Sequence, residues 1–125
     1  MKSSVFEGIR VLDIGQLIAG PIAASVLADF GADVIRVEKP VEGDPLRWLY
    51  QKNGVGLMYK VQARNKKSLS LNLKTDEGRE ILHKLVEQSD VLVENFRPGV
   101  LERLGIGPDV LFKLNPRLII CRMSG

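Results

Sequence analysis

The sequence predicts an α/β domain built on a mainly parallel sheet, with helices on both faces. Three observations predict it. Short β-branched runs alternate with helix-length segments along the whole of the 125 residues. That alternation is the mark of right-handed βαβ units. No internal repeat, low-complexity tract or linker interrupts it, and the length suits one domain with its own core.

The first strand is read at "IRVLDIG" (9–15). The helix "GPIAASVLADFG" (20–31) follows, with Pro21 in its first turn and Gly31 as its stop. Ile22, Ala23, Val26, Leu27 and Phe30 form its expected apolar face. "DVIRVEKP" (33–40) is the second strand, ended by Pro40. Residues 41–67 are less regular and carry Trp48, Tyr50 and Tyr59 among glycines. "SLSLNL" (68–73) alternates polar and apolar residues, as a half-buried strand does. "TDEGREILHKLVEQS" (75–89) is an amphipathic helix capped by Thr75, with acids in its first turn and a stripe of Ile81, Leu82, Leu85 and Val86. "DVLVENF" is the next strand. A short helix runs from Pro98 to Leu104, another starts at Pro108 and stops at Asn115-Pro116, and "RLIICRMSG" is the last strand. Together these elements describe a Rossmann-like sheet.

Composition narrows the chemistry. With one Cys (Cys121) and one His (His83), an intramolecular disulfide is impossible, and Cys-rich or His-based metal sites are not expected. No metal is called for. No apolar run approaches the roughly 20 residues that cross a bilayer, and no signal-peptide core opens the chain. A reducing cytoplasm is the expected location, with no membrane partner. The net charge of +3 is unevenly spread. Between Pro45 and Thr75 there are seven bases (Arg47, Lys52, Lys60, Arg64, Lys66, Lys67, Lys74) and no acid. All 15 acids lie outside that segment, against the remaining 11 of 18 bases. The segment reads either as a surface for a local anionic partner or as a solvated basic face.

Ligands of such sheets bind beyond the C-terminal strand ends. Those ends are "DIGQLIAG", "VEKP", "LNLK", "VENFRPG" and "RMSG". The first loop opens a helix N-terminus, a natural anion site, but it lacks the G-x-G-x-x-G spacing of a dinucleotide fingerprint. Glu38 stands where the ribose-binding acid of an NAD domain would stand, yet without the glycines the NAD reading is weak. Arg64, Lys66, Lys67 and Lys74 surround one strand, and Arg97 and Arg103 flank the turn after another. Cations beside Phe96 suit a flat base carrying phosphates. The alternatives are structural: Phe96 in the core, Arg97 at a helix start, Arg103 complementing a helix dipole. No nucleophile and base assemble, so no catalytic residue is assigned. Asp13 and Glu94 are strand-end carboxylates suited to bonding neighbouring backbone amides.

"LADFGADVIRVEKP", "NKKS", "VENFRPG" and "LNPRLI", in this order and spacing, resemble the N-terminal part of the family III CoA-transferases. That family includes formyl-CoA transferase, carnitine CoA-transferase and the related α-methylacyl-CoA racemases. The resemblance covers essentially the whole chain. It implies a domain over residues 1–125 that binds coenzyme A or an acyl-CoA along the strand ends. The implied contacts are Ile18, Ala19, Lys39, Leu71, Asn72, Leu73, Lys74, Asn95, Phe96, Arg97 and Arg103.

The resemblance further implies transfer of CoA between carboxylic acids through an aspartyl-CoA thioester, with the aspartate lying after the last strand read here. CoA thioesters and carboxylic acids would then be the substrates, and an interlocked homodimer the assembly. Formyl-CoA transferase has a His at the position of Gln16 and a Gln at that of Ile18, a departure that weighs against a formyl or oxalyl substrate. Because Ser124-Gly125 falls where a strand end passes into a functional loop, the chain is expected to be truncated and inactive alone. A portion of a racemase and a stand-alone CoA- or nucleotide-binding module are the alternatives. Nucleic-acid binding through the basic stretch ranks last and is not expected.

Overall fold

A computed structural model describes residues 4–124. Five strands form one sheet: β1 (Arg10–Asp13), β2 (Asp33–Glu38), β5 (Lys66–Ser70), β6 (Val91–Glu94) and β7 (Ile119–Arg122). They lie in the order β5-β2-β1-β6-β7, and every neighbouring pair is parallel. Strand order reverses between β1 and β6, because the chain first winds outward through β2 and β5 and then returns to the other side of β1. A crevice opens at such a reversal, beyond the carboxyl ends of the two strands.

The period-2 alternation of the central strands divides the core. Leu12 of β1 and Leu92 of β6 bury on one face with Leu82, Val86, Leu101, Ile106 and Leu111. Their neighbours Val11 and Val93 bury on the other, with Ala24, Ala28 and Val34. The first face is covered by α3 (Asp76–Glu87), α4 (Val100–Arg103) and α5 (Pro108–Leu114), and the second by α1 (Ala19–Asp29). Each fully buried Leu contributes about 1.5–3 kcal/mol relative to exposure.

The face of α1 differs from the expected one. Its buried residues are Gly20, Pro21, Ala24, Ser25 and Ala28. Ile22, Val26 and Phe30, expected against the sheet, are 46%, 47% and 54% exposed. A helix that is apolar nearly all round has no periodicity to select a face, and small side chains let its backbone sit close to β1 and β6. On α3, Leu82 and Val86 are buried as expected, whereas Ile81 lies on the exposed flank. Thr75 caps α3 as read, its Oγ1 accepting from Gly78 N at 3.1 Å.

Strand β5 ends earlier than the alternation suggested, at Ser70 rather than Leu73. Leu71 N still donates to Glu38 O, after which Asn72 begins the α3 cap. The irregular stretch 41–67 resolves into a 3₁₀ turn (Pro45–Arg47), a small hairpin of β3 (Gln51–Lys52) and β4 (Val55–Gly56), and helix α2 (Leu57–Gln62). No helix among the described residues is long and apolar enough to cross a membrane.

Candidate functional site

The crevice between β1 and β6 is built around Asn95. Its Oδ1 accepts from Gln16 N at 2.7 Å, and its Nδ2 donates to Gln16 O at 2.8 Å. The amide reaches that backbone because Gly15 and Gly20 carry no side chain: a Cβ on either would stand 2.9 or 3.1 Å from Asn95 Oδ1. The β1–α1 loop is therefore held against the β6–α4 turn. Beside this tie lies a recess of about 380 Å³, lined by Ala19, Asn95, Phe96, Arg97, Pro98, Met123 and Ser124.

The expected contact residues divide according to what their side chains already do. Ile18 and Ala19 are exposed at the start of α1, and Arg97 is exposed at the recess. Arg103 is exposed on α4 and folds back over the turn, its Nη1 3.0 Å from where a Cβ on Gly99 would stand. Neither arginine makes an ion pair among the described residues. Phe96 is half-buried against the core while still lining the recess. Asn95 lines it too, and its amide is tied to Gln16 through Oδ1 and one Nδ2 hydrogen, so it shapes the recess and keeps only its second Nδ2 hydrogen as a donor for a ligand. Leu71 is buried and Leu73 packs against the core, which leaves mainly their backbone for a ligand. Asn72 and Lys74 are exposed. Lys39 is exposed at the end of β2, pairs with Glu42 and lines a different, larger recess.

That larger recess, about 590 Å³, lies over the ends of β2 and β5. At its base the buried Glu38 accepts from Arg47 Nε at 2.7 Å, Arg47 Nη2 at 2.8 Å, Tyr59 Oη at 2.5 Å and Asp44 N at 2.8 Å. Burial alone would push this carboxyl up. The hydrogen bonds from Arg47, Tyr59 and the Asp44 amide outweigh it and lower the pKa to about 2. Burial, then the bond to Glu38, pushes the Tyr59 hydroxyl up to about 12. The Arg47 guanidinium stacks 3.8 Å from the Tyr59 ring centroid. With its oxygens so engaged, Glu38 has no position left for a ribose, and the NAD reading loses its acid.

A buried ion cluster joins β1, β2 and β5 to the 3₁₀ turn. Asp13 accepts from Arg36 Nη1 at 2.8 Å and from Lys66 Nζ at 2.9 Å. Arg36 also pairs with Asp44. Asp44 in turn accepts from Leu46 N at 2.7 Å and from Leu17 N at 3.1 Å, tying the first loop to the 3₁₀ turn. Burial pulls the Lys66 ammonium below its ordinary value, with Asp13 opposing that pull.

The uniform basic segment is accordingly not a uniform basic surface. Arg47, Arg64, Lys66 and Lys67 pair with Glu38, Asp29, Asp13 and Asp33, acids supplied by β1, β2 and α1. Lys52, Lys60 and Lys74 are left without an ion pair among the described residues. Sequence reasoning passed over Arg36, Asp44 and Arg122 as structural parts of the site. Asp44 had a legible signal, an Asp immediately before Pro45, which is the cap-then-proline start of a helical turn. Asp13 and Glu94 do bond backbone amides as read, those of Gly15 and Phe96.

Fold and crevice define a class: an α/β domain of the Rossmann type whose reversal point carries a recess edged by Arg97, which makes no ion pair among the described residues. The sequence model of CoA-transferase family III matches residues 6–125, and the chain belongs to that family. It is 49% identical over 120 residues to the succinyl-CoA–L-malate CoA-transferase beta subunit of Chloroflexus aurantiacus, covering 94% of this chain and 30% of that protein. It is 40% identical over 125 residues to the formyl-CoA:oxalate CoA-transferase of Afipia carboxidovorans, covering 98% of this chain and 30% of that protein. Among solved structures, a CaiB/BaiF family protein from Brucella suis superposes with a TM-score of 0.91 at 35% identity, over 99% of this chain and 34% of that one. The chain thus spans about 30% of the length of the curated relatives it matches.

Proposed function

We propose that these residues form the coenzyme A-binding portion of an enzyme that transfers CoA between carboxylic acids. The observation that carries the reading is the recess at the β1/β6 reversal, where Phe96 and the unpaired Arg97 face Ala19. CoA offers a flat adenine for the ring and phosphates for the arginines, with Arg97 and Arg103 able to make charge-assisted contacts. The larger recess suits the phosphates less well, because Arg47 is already neutralised by Glu38. Lys39, at the edge of that larger recess, and Asn72 to Lys74 would extend the ligand's path beyond the β1/β6 recess over the ends of β2 and β5, with Leu71 and Leu73 contributing backbone.

The transfer step itself is assigned to an aspartate outside residues 4–124, acting through an aspartyl-CoA thioester. Asp13 at the end of β1 and Asp44 at the start of the 3₁₀ turn are buried and committed to Arg36, and Asp13 to Lys66 as well. They are poor nucleophiles in that setting, so these residues alone bind and do not turn over substrate. A homodimer fits the exposed apolar ridge of Ile18, Ile22, Val26 and Phe30 along α1. The single Cys, half-buried in β7, fits a reducing cytoplasm.

Titration calorimetry with CoA, ADP and NAD tests the reading. CoA is expected to bind more tightly than either, with an affinity that falls as salt rises. A folded sample that binds no CoA at millimolar concentration overturns it.

A further inference from the structure

Glu94 is the residue of "VENFRPG" that the binding site leaves without a task. It is buried at the end of β6, a position where a carboxylate is costly unless it is paired. One oxygen, Oε2, accepts from Phe96 N at 2.8 Å, which fixes the turn into the recess. The other, Oε1, accepts from Arg122 Nε at 2.6 Å. Arg122 stands directly opposite on β7, because the parallel register pairs Glu94 with Arg122. The far side of the same guanidinium donates from Nη1 to Glu102 Oε1 at 2.8 Å. Glu102 lies on α4, one residue before Arg103. Met123 N closes the frame by donating to Glu94 O at 3.0 Å, and Met123 itself lines the recess.

We propose that Arg122 is a positioning residue for the anion-binding recess: it clamps the β6–α4 turn through Glu94 and helix α4 through Glu102. This inference rests on the coenzyme A reading given above. The geometry asks for a guanidinium. Its planar fork offers Nε to one carboxylate and Nη1 to another on a different element, whereas an ammonium is a point charge on a flexible stem. Without the clamp, Glu94 keeps its bond to Phe96 N but loses its counter-charge, and α4 loses its only ion pair to the sheet among the described residues. Arg97 and Arg103 would then sample more arrangements, and a ligand would have to order them on binding.

The test compares the purified protein with three variants, Arg122→Gln, Arg122→Lys and Glu102→Gln. Each is assayed for CoA affinity by calorimetry and for hydrogen exchange at the Phe96 amide and through α4 without ligand. Arg122→Gln is expected to weaken CoA about 10- to 100-fold and to speed exchange at Phe96 and α4. Arg122→Lys should restore protection at Phe96 but not along α4. Glu102→Gln, at an exposed position, should fold normally, keep Phe96 protected, speed exchange along α4 and weaken CoA less than Arg122→Gln does. Should Arg122→Gln fail to fold, Arg122→Lys and Glu102→Gln carry the comparison. Unchanged CoA affinity and unchanged exchange in folded Arg122→Lys and Glu102→Gln overturn the proposal. If the unsubstituted protein binds no CoA, the functional reading fails, and the exchange data alone then decide the clamp.

Discussion

The side-chain amide of Asn95 and the backbone of Gln16 are joined by two hydrogen bonds, 2.7 Å into Oδ1 and 2.8 Å out of Nδ2. One amide thereby ties the loop after β1 to the turn after β6, across 79 residues of sequence. Replacing it with a carboxylate keeps the first bond and turns the second into an oxygen facing an oxygen. Asn95→Asp is therefore expected to lower stability by about 1–3 kcal/mol, the cost of an unmet polar group. Urea denaturation at neutral pH measures the loss, and CoA affinity should fall with it.

Gly78 sits at the third position of α3, where alanine would normally help a helix by about 1 kcal/mol. Here a Cβ would stand 1.9 Å from Asn72 O and 2.7 Å from its carbonyl carbon. Backbone cannot step aside as a flexible side chain can. Gly78→Ala is expected to invert the usual rule and lower the melting temperature, while an alanine at the exposed Glu80 leaves it nearly unchanged.

Leu92 is fully buried in the central strand β6, packed with Leu12, Leu82 and Leu101. Leu92→Ala should destabilise by about 2–5 kcal/mol, through lost transfer free energy and the cavity left behind. Ile81→Ala on the exposed flank of α3 is expected to cost well under half as much. Equal losses in equilibrium unfolding would place the α3 stripe wrongly.

Glu38 provides a pH signature. Its pKa in the folded protein is about 2 against an ordinary 4.5. A carboxyl lowered by folding stabilises the native state when ionised. That contribution is complete above about pH 4.5 and drains away as the pH falls towards 2. At about 1.4 kcal/mol per unit, its size is on the order of 3 kcal/mol. Glu38→Gln should remove this part of the acid dependence, so the stability gap between the two proteins narrows steadily between pH 5 and 2. A gap that is constant over that range is the contrary result.

Arg97 and Arg103 should act through charge. Arg97→Ala is expected to weaken CoA about tenfold and to reduce the salt dependence of binding, with little effect on melting, because neither arginine pairs with an acid. Loss of stability comparable to that of Leu92→Ala would mark Arg97 as a structural residue instead.

Much of this molecule was legible before any coordinates. The alternation of β-branched and helical segments determined the parallel sheet, and the rule that ligands lie beyond carboxyl strand ends pointed to the loops that border the two recesses. Thr75, Gly31 and Pro108 mark helix boundaries by local chemistry that is the same in any fold. Pairing across the sheet is a different kind of information. Lys66 and Asp13 lie 53 residues apart, and Arg36 and Asp13 lie 23 apart. No periodicity relates them, so a segment that counts as strongly basic along the chain is largely neutralised in space. The expected face of α1 failed for a related reason: a helix apolar nearly all round buries whichever side lets its backbone approach, and only the neighbouring strands decide that. Glu94 could be read as a strand-end carboxylate, but its partner Arg122 becomes its neighbour only when β6 and β7 align. The sequence determined the chain order of the sheet strands and of the helices that cover them; the tertiary structure decided which charges remain free for a ligand, because neutralisation depends on distance through space and not along the chain.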